Sequence, residues 1–257
     1  MSEDRIPTAA EFDEWYADMA HAPVKDEIQQ RHLGLPPELL STSLLTWDGL
    51  GEVVEALRLG AGDTLVDLAC GRGGYGLEAA RRTGAALVGV DYSAEAVRQA
   101  QEHAARLGRP ADVRVGDLTA TGLPDGFARA VMCVDAIQFA APPAAAYAEL
   151  RRIVSPGGRV ALTCWEAVDR TDGSLAERVR DTDLHGGLTS AGFVEVDVRE
   201  RPEWRRAERA MWEEAAALDE QQLAGDPALQ AFLDEGVHVL PTFDRSLRVL
   251  GTATAPS

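Results

Sequence analysis

The chain has 257 residues, of which 46% are hydrophobic, and it carries a net charge of −17 from 42 acidic and 25 basic side chains. That length allows one large domain with a substantial core, and the acidic balance excludes nucleic acid as a partner, because phosphate-backbone binding needs concentrated Lys and Arg. No apolar run of about 18 residues offers a membrane span, the acidic N-terminus lacks a secretory core, and Cys70, Cys133 and Cys164 have neither paired nor ligand spacing, which fits a reducing cytoplasm without disulfides or zinc. One lysine, Lys25, stands against 24 arginines, which reads as a codon-composition effect of a GC-rich genome.

Residues 8–20 place Phe12, Trp15, Tyr16 and Met19 on one helical face, with Thr8 and Glu11 spaced as a capping box. Pro23, Gly34, Pro36 and Pro37 break 21–41 into a short helix and a turn. Ser41 or Ser43 can cap the next helix, which runs through Leu44, Leu45, Trp47, Leu50, Val53, Val54 and Leu57. Residues 60–63 turn into a buried strand, Thr64 to Ala69. A glycine cluster follows at Gly71, Gly73, Gly74 and Gly76, then helical residues Leu77 to Thr83 stopped by Gly84. A second apolar run, Ala86 to Val90, ends at Asp91. Strand, glycine turn, helix, strand and acid together open a nucleotide-binding, doubly wound α/β sheet.

Ser93 caps a helix with Ala96, Val97, Ala100, Ala104 and Leu107 inward, stopped by Gly108 and Pro110. Val113 to Val115 make a third strand leading to Gly116-Asp117-Leu118, and Ala128 to Val134 a fourth leading to Asp135 and Gln138. A helix with Tyr147, Leu150, Ile153 and Val154 at core spacing precedes the turn Ser155 to Arg159 and a fifth strand, Val160 to Trp165. Residues 182–192 read as a short helix, Phe193 to Arg199 as a sixth strand and Ser246 to Ala255 as the last. Between those two strands, residues 201–245 carry Trp204, Met211, Trp212, Leu218, Leu223, Leu229, Phe232 and Leu233 in helical patterns. These aromatics either form the core of the insertion or line a pocket for an apolar organic molecule.

The glycine turn carries the chemistry. Its backbone can approach a ligand, and the N–H groups of the following helix favour negative charge. Asp91, 20 residues after Gly71, can accept both hydroxyls of a ribose. Gly71, Gly73 and Gly76 also satisfy the G-x-G-x-x-G spacing of nicotinamide and flavin sites, a weak signal by itself. Asp67 shifts the balance, because a carboxylate beside the turn is unhelpful to a pyrophosphate and suits a ligand carrying an ammonium group.

The segments Asp67-Leu68-Ala69-Cys70-Gly71-Arg72-Gly73 and Gly89-Val90-Asp91-Tyr92-Ser93 resemble the first two motifs of the class I S-adenosylmethionine (SAM)-dependent methyltransferases, with Ala69 where that family most often has glycine. The run LRRIVSPGGRVALT resembles a further element of the same family. The resemblance implies a Rossmann-like seven-stranded sheet with an antiparallel last strand, N-terminal helices at 1–50, a cofactor-binding core at 51–200, a helical cap insertion at 201–245 and the last core strand with its tail at 246–257. It implies SAM as cofactor, held by Asp67, Ala69, Gly71, Gly73, Asp91 and Tyr92. Asp117 would read the adenine amino group, with the Leu118 N–H serving a ring nitrogen; outside that motif order, Asp117 reads as a cap or turn residue. Cys133, near the end of the fourth strand, and Thr46, before the glycine loop, join the expected cofactor contacts. Tyr16 either lids the cofactor or packs on the main domain.

The function expected is transfer of the SAM methyl group to an O, N or C atom of a small organic molecule, of the kind met in bacterial secondary metabolism. Asp135 and Gln138 lie outside the carboxyl end of the fourth strand, where ligands bind in open α/β sheets, and are the candidate substrate contacts. Asp135, His21, His185 and His238 are candidate bases, none of which is singled out. Histidines without i, i+4 pairing argue against a metal. The sequence leaves open a nicotinamide-dependent oxidoreductase, or a SAM-binding protein with a non-methylating role such as a cyclisation. A homodimer is compatible with the sequence, which does not set the oligomeric state.

Overall fold

A computed structural model describes residues 5–20, 22–223 and 225–257. In chain order the elements are α1 (Ala9–Met19), α2 (Pro23–Leu33), α3 (Trp47–Leu57), β1 (Thr64–Leu68), α4 (Gly74–Thr83), β2 (Ala86–Asp91), α5 (Ala94–Leu107), β3 (Ala111–Val115), β4 (Ala128–Val134), α6 (Pro143–Ile153), β5 (Val154–Ala167), α7 (Glu177–Arg180), α8 (Leu184–Ser190), β6 (Val194–Glu200), α9 (Pro202–Ala216), α10 (Glu220–Leu223), α11 (Pro227–Val239) and β7 (Ser246–Thr254). The strands form one seven-stranded sheet in the order β3-β2-β1-β4-β5-β7-β6. Strands β1 to β5 pair in parallel, and β7 runs antiparallel between β5 and β6. This is the doubly wound, Rossmann-like arrangement that the motif order implies. Its strand order reverses between β1 and β4, and the crevice at their carboxyl ends is where such sheets bind ligands.

Side-chain alternation distributes the core over two faces. Leu65, Met132, Val134 and Leu250 face α3, α4, α9 and α11. Val66, Leu68, Val131, Cys133 and Leu162 face α6 and α8. Asp67 is in phase with Leu65, so it points toward the α4 side, and Cys133 points the opposite way. The helices of 202–239 pack on α2 and on β7. Their aromatics are core: Trp204, Trp212 and Phe232 are buried, with Trp212 and Phe232 ring centroids 5.2 Å apart.

Three local expectations change. Thr46 caps α3, accepting from Gly49 N at 3.0 Å, in place of Ser41 or Ser43. The segment Ser155 to Gly158 is an irregularity inside β5, not a turn before it, because Ala128 pairs with Val154 and Ala130 with Arg159. Trp15 is 38% exposed although it shares the helical face of buried Tyr16 and Met19.

Candidate functional site

The site is built where β1 and β2 end. After β1 the chain turns through Ala69 at φ 56° and Gly71 at φ 53° before α4 begins. Gly71 N donates to Asp91 Oδ2 at 2.7 Å and Ser93 N to Asp91 Oδ1 at 2.9 Å, which ties the glycine loop to the tip of β2. A carboxylate has about four acceptor positions. The N–H groups of Gly71, Ser93 and Tyr92 use part of that capacity, and Asp91 keeps the rest for a ligand. Asp67 is buried beside the first turn of α4, where the Gly76 N–H donates to it. A Cβ at residue 76 would overlap the Asp67 carboxylate, so the third glycine of the G-x-G-x-x-G spacing makes room for an acid. Burial, reinforced by the Asp91 charge, pushes the Asp67 carboxyl up to about 8. Asp91 is also raised, chiefly by burial and against the pull of its N–H donors. Two buried acids with no cation between them among the described residues are a poor place for a pyrophosphate and a good one for an ammonium group.

Helix α1 closes over this loop. Its capping box forms as the sequence requires, with Thr8 N donating to Glu11 Oε2 at 2.7 Å. The Tyr16 hydroxyl stands over Gly71, so close that a Cβ there would lie 2.9 Å from it, and it hydrogen-bonds Thr42. The helix is pinned to the tip of β2 and to α5. Ser93 Oγ and Glu95 N donate to Asp13 Oδ1 at 2.6 and 3.0 Å, and Gln99 Nε2 donates to the Tyr16 carbonyl at 2.9 Å. Asp13 thus caps α5 from another helix, a link that sequence spacing alone cannot reveal.

Other candidates fall into different places. Asp117 holds a tight turn, accepting from Thr119 N at 2.6 Å through Oδ1 alone. Leu118 packs against the second core face and Tyr92 is exposed. The Cys133 thiol is fully buried on the face away from Asp67, so only its main chain can reach the crevice. The Thr46 hydroxyl accepts from Gly49 N to cap α3, so what it keeps for a ligand is its O–H donor and one lone pair.

Asp135 is engaged within the protein. Both of its oxygens are held inside the protein: by Arg248 Nη1 at 2.6 Å and Nη2 at 3.1 Å, by Thr163 Oγ1 at 2.7 Å and by Leu44 N at 2.9 Å. A carboxylate so engaged is a poor base or substrate ligand and a good anchor for the loop that follows it. Arg248 is fully buried, stacks 4.1 Å from the Trp165 ring and lies 3.3 Å from Glu208. Glu208 accepts from Trp165 Nε1 at 3.0 Å, and burial, partly offset by Arg248, pushes its carboxyl up to about 7. The sequence signal for Arg248 was available: it is a lone cation in phase with Leu250 in an apolar strand.

Gln138 sits on the loop that Asp135 anchors. Its Nε2 donates to the Asp135 carbonyl at 2.8 Å, which fixes the amide orientation and leaves a buried Oε1 without a partner among the described residues. It lines a cavity of about 140 Å³ with Ile137, Ala140, Tyr147, Arg178 and Thr182. His185 and His238 are exposed, and His21 lies outside the described residues. No cluster of metal-ligating side chains occurs among the described residues.

Residues 65–158 match the model of a methyltransferase domain. A sterol 24-C-methyltransferase of Eremothecium gossypii is 28% identical over 141 residues, covering 53% of this chain and 38% of that enzyme. The chain spans well under half the length of the curated relatives it matches first. Among solved structures, Haemonchus contortus phosphoethanolamine N-methyltransferase 2, in complex with phosphomonomethylethanolamine and S-adenosylhomocysteine, superposes with a TM-score of 0.75 at 17% identity. That match covers 96% of this chain and 60% of that one. The [4+2]-cyclase SpnF superposes with a TM-score of 0.69 at 19% identity over 97% of both chains. At these identities the structural likeness establishes the fold.

Proposed function

We propose that the methyltransferase domain of residues 65–158 binds SAM and that the chain transfers its methyl group to an O, N or C atom of a small organic molecule. The observation that carries this reading is the pair of buried acids beside the glycine loop. Asp67, seated on Gly76, suits the ammonium of an amino-acid end, and Asp91, tied to Gly71, suits the ribose diol. Ala69, Gly71 and Gly73 shape the loop around the cofactor, Tyr16 lids it, and the Tyr92 main chain, Asp117, the Leu118 N–H and the Cys133 main chain line the nucleoside side. When bound, SAM supplies an activated sulfonium methyl group. The chain's part is to hold the acceptor in line and to exclude water, effects able to lower a barrier by roughly 7–11 kcal/mol. Gln138 contributes an oriented acceptor oxygen for an O–H or N–H of the acceptor. Residues 1–50 then act as the lid, 51–200 as the cofactor core, 201–245 as the cap and 246–257 as the last core strand. A cytoplasmic bacterial enzyme of secondary metabolism, alone or as a homodimer, is the setting we infer; the three free cysteines fit it.

Calorimetric titration tests the cofactor: S-adenosylhomocysteine is expected to bind and NAD is not, and NAD binding without S-adenosylhomocysteine binding overturns the reading. Labelled SAM offered with panels of hydroxylated, amine-bearing and phosphorylated acceptors tests the transfer by mass spectrometry. A second reading rests on the near full-length superposition on a cyclase. Under it the protein binds SAM and rearranges its substrate, giving a product of unchanged mass.

A further inference from the structure

A chain that uses arginine at 24 positions and lysine at one has that single lysine almost fully buried, 4% exposed at the third position of α2. Lys25 Nζ bonds Gln29 Oε1 at 2.6 Å and lies 3.5 Å from Asp26 Oδ1. The other oxygen of Asp26 lies 3.4 Å from Nη1 of Arg72, the residue between Gly71 and Gly73 of the cofactor loop. Arg72 is 6% exposed, and its Nε is buried with no partner among the described residues. One carboxylate therefore bridges two buried cations, one per oxygen. Burying charge is costly unless each is matched, and among the described residues Asp26 is the one acid within ion-pair distance of either cation. The next groups out are Glu235 of α11, which acts on Lys25, and Arg178 and His238, which act on Glu235. The N-terminus of α2 adds to the positive field, because Ala22 supplies no side-chain cap. All this lies in a protein of net charge −17.

We propose that Lys25 and Arg72 form an anion-binding site between the glycine loop and α2, which receives a carboxylate or phosphate group during the reaction. An anion there meets the unpartnered Arg72 Nε–H and the remaining Lys25 N–H donors, as charge-assisted hydrogen bonds. The proposal rests on the SAM reading for its context. Two molecules of that reaction can bring the anion: the cofactor, through its own α-carboxylate, or the acceptor, through an acid group held under α11, which carries Phe232.

The experiment separates them. Wild type, Lys25→Met, Arg72→Gln and the charge-retaining Lys25→Arg and Arg72→Lys are titrated with S-adenosylhomocysteine and with S-adenosyl-3-thiopropylamine, which keeps the ammonium and lacks the carboxylate. If the cofactor is the source, wild type prefers S-adenosylhomocysteine by about tenfold or more, and the preference collapses in Lys25→Met and Arg72→Gln but survives in the charge-retaining pair. If the acceptor is the source, the two nucleosides bind alike. The S-adenosylhomocysteine complex of wild type then binds inorganic phosphate, and the neutral variants lose that binding by about tenfold or more. The proposal is overturned if folded neutral variants, checked by circular dichroism, change neither preference nor phosphate affinity. It is equally overturned if the charge-retaining variants lose as much as the neutral ones. Failure of S-adenosylhomocysteine to bind wild type sinks the cofactor reading instead, and phosphate binding to the unliganded variants still decides the site.

Discussion

The Asp67 carboxyl, pushed up to about 8 by burial and by Asp91, makes cofactor affinity depend on pH in a defined direction. Without ligand it holds a proton at neutral pH. An ammonium placed against it favours the carboxylate and lowers its pKa by roughly 1–3 units; a drop of about two units brings it near 6. Because the bound state has the lower pKa, binding releases a proton and strengthens as pH rises toward 8. Linkage then gives a weakening of roughly 20-fold in S-adenosylhomocysteine affinity from about pH 8.5 to about pH 6.5, about 1.7 kcal/mol, and release of about 0.8 proton per site near pH 7. Asp91 is raised in the same sense, chiefly by burial; a ribose diol acts on it with or without the ammonium, so a ligand that keeps the ribose and lacks the ammonium isolates the Asp67 part. The assay is titration calorimetry in buffers of contrasting ionisation enthalpy, repeated with Asp67→Asn and with 5′-methylthioadenosine, which lacks the ammonium. Both controls should lose the slope. An affinity flat in pH, one that weakens as pH rises, or an Asp67→Asn variant with the wild-type slope refutes the argument.

Gly76→Ala should weaken S-adenosylhomocysteine binding by about tenfold or more, since its Cβ displaces the Asp67 carboxylate, while the better helix former offsets up to about 1 kcal/mol of strain; calorimetry and urea unfolding separate the two. Ala69→Gly should stabilise the fold by up to about 1 kcal/mol, because an L-residue at φ 56° costs about 1–2 kcal/mol and the extra freedom of glycine returns about half of that. Arg248→Met leaves Asp135 and Glu208 buried without their cation and should cost about 3–5 kcal/mol in urea unfolding, whereas simultaneous apolar replacement of all three should recover most of it. Unliganded stability should fall as pH rises from about 4 to about 8, because Asp67 and Glu208 have folded pKa values of about 8 and about 7, above their unfolded values; urea midpoints across that range check it, and a midpoint that rises with pH contradicts it.

The fold was legible because its signals are local and repeated. The strand of 64–68, the loop glycines and Asp91 each follow from period, turn chemistry and spacing, and the parallel order of the sheet follows from their sequence. The capping box at Thr8 and the Ser93 cap are equally short-range. What could not be read were pairings across long separations. Asp135 looked like a free acid at a strand end because Arg248 lies 113 residues away, brought to it only when β7 inserts beside β5. Trp15 looked inward because the helical face of α1 is wider than the surface it covers. The insertion's aromatics read as core for the most part and as pocket lining otherwise, and core prevailed because α9 and α11 pack together and leave Trp212 and Phe232 against each other.

The two ends of the cofactor loop are electrostatically incomplete in opposite senses. At one end Asp67 and Asp91 share a buried space with no cation between them among the described residues, and Asp67 meets the deficit by keeping its proton. At the other, Lys25 and Arg72 share Asp26; arginine does not relieve its charge by losing a proton, and burial lowers the Lys25 pKa only against its pairing with Asp26. A neutral or purely anionic ligand repairs one end at most. A zwitterionic amino-acid end repairs both, its ammonium taking the proton's place at Asp67 and its carboxylate answering Arg72. The distance between these deficits is the span of one loop, Asp67 to Arg72, so the two repairs should be energetically coupled. In a double-mutant cycle of Asp67→Asn and Arg72→Gln on S-adenosylhomocysteine affinity, a coupling of about 1 kcal/mol or more is expected for groups acting on one ligand. Strict additivity would mean that the acid and the arginine answer different molecules, and would move the anion to the acceptor.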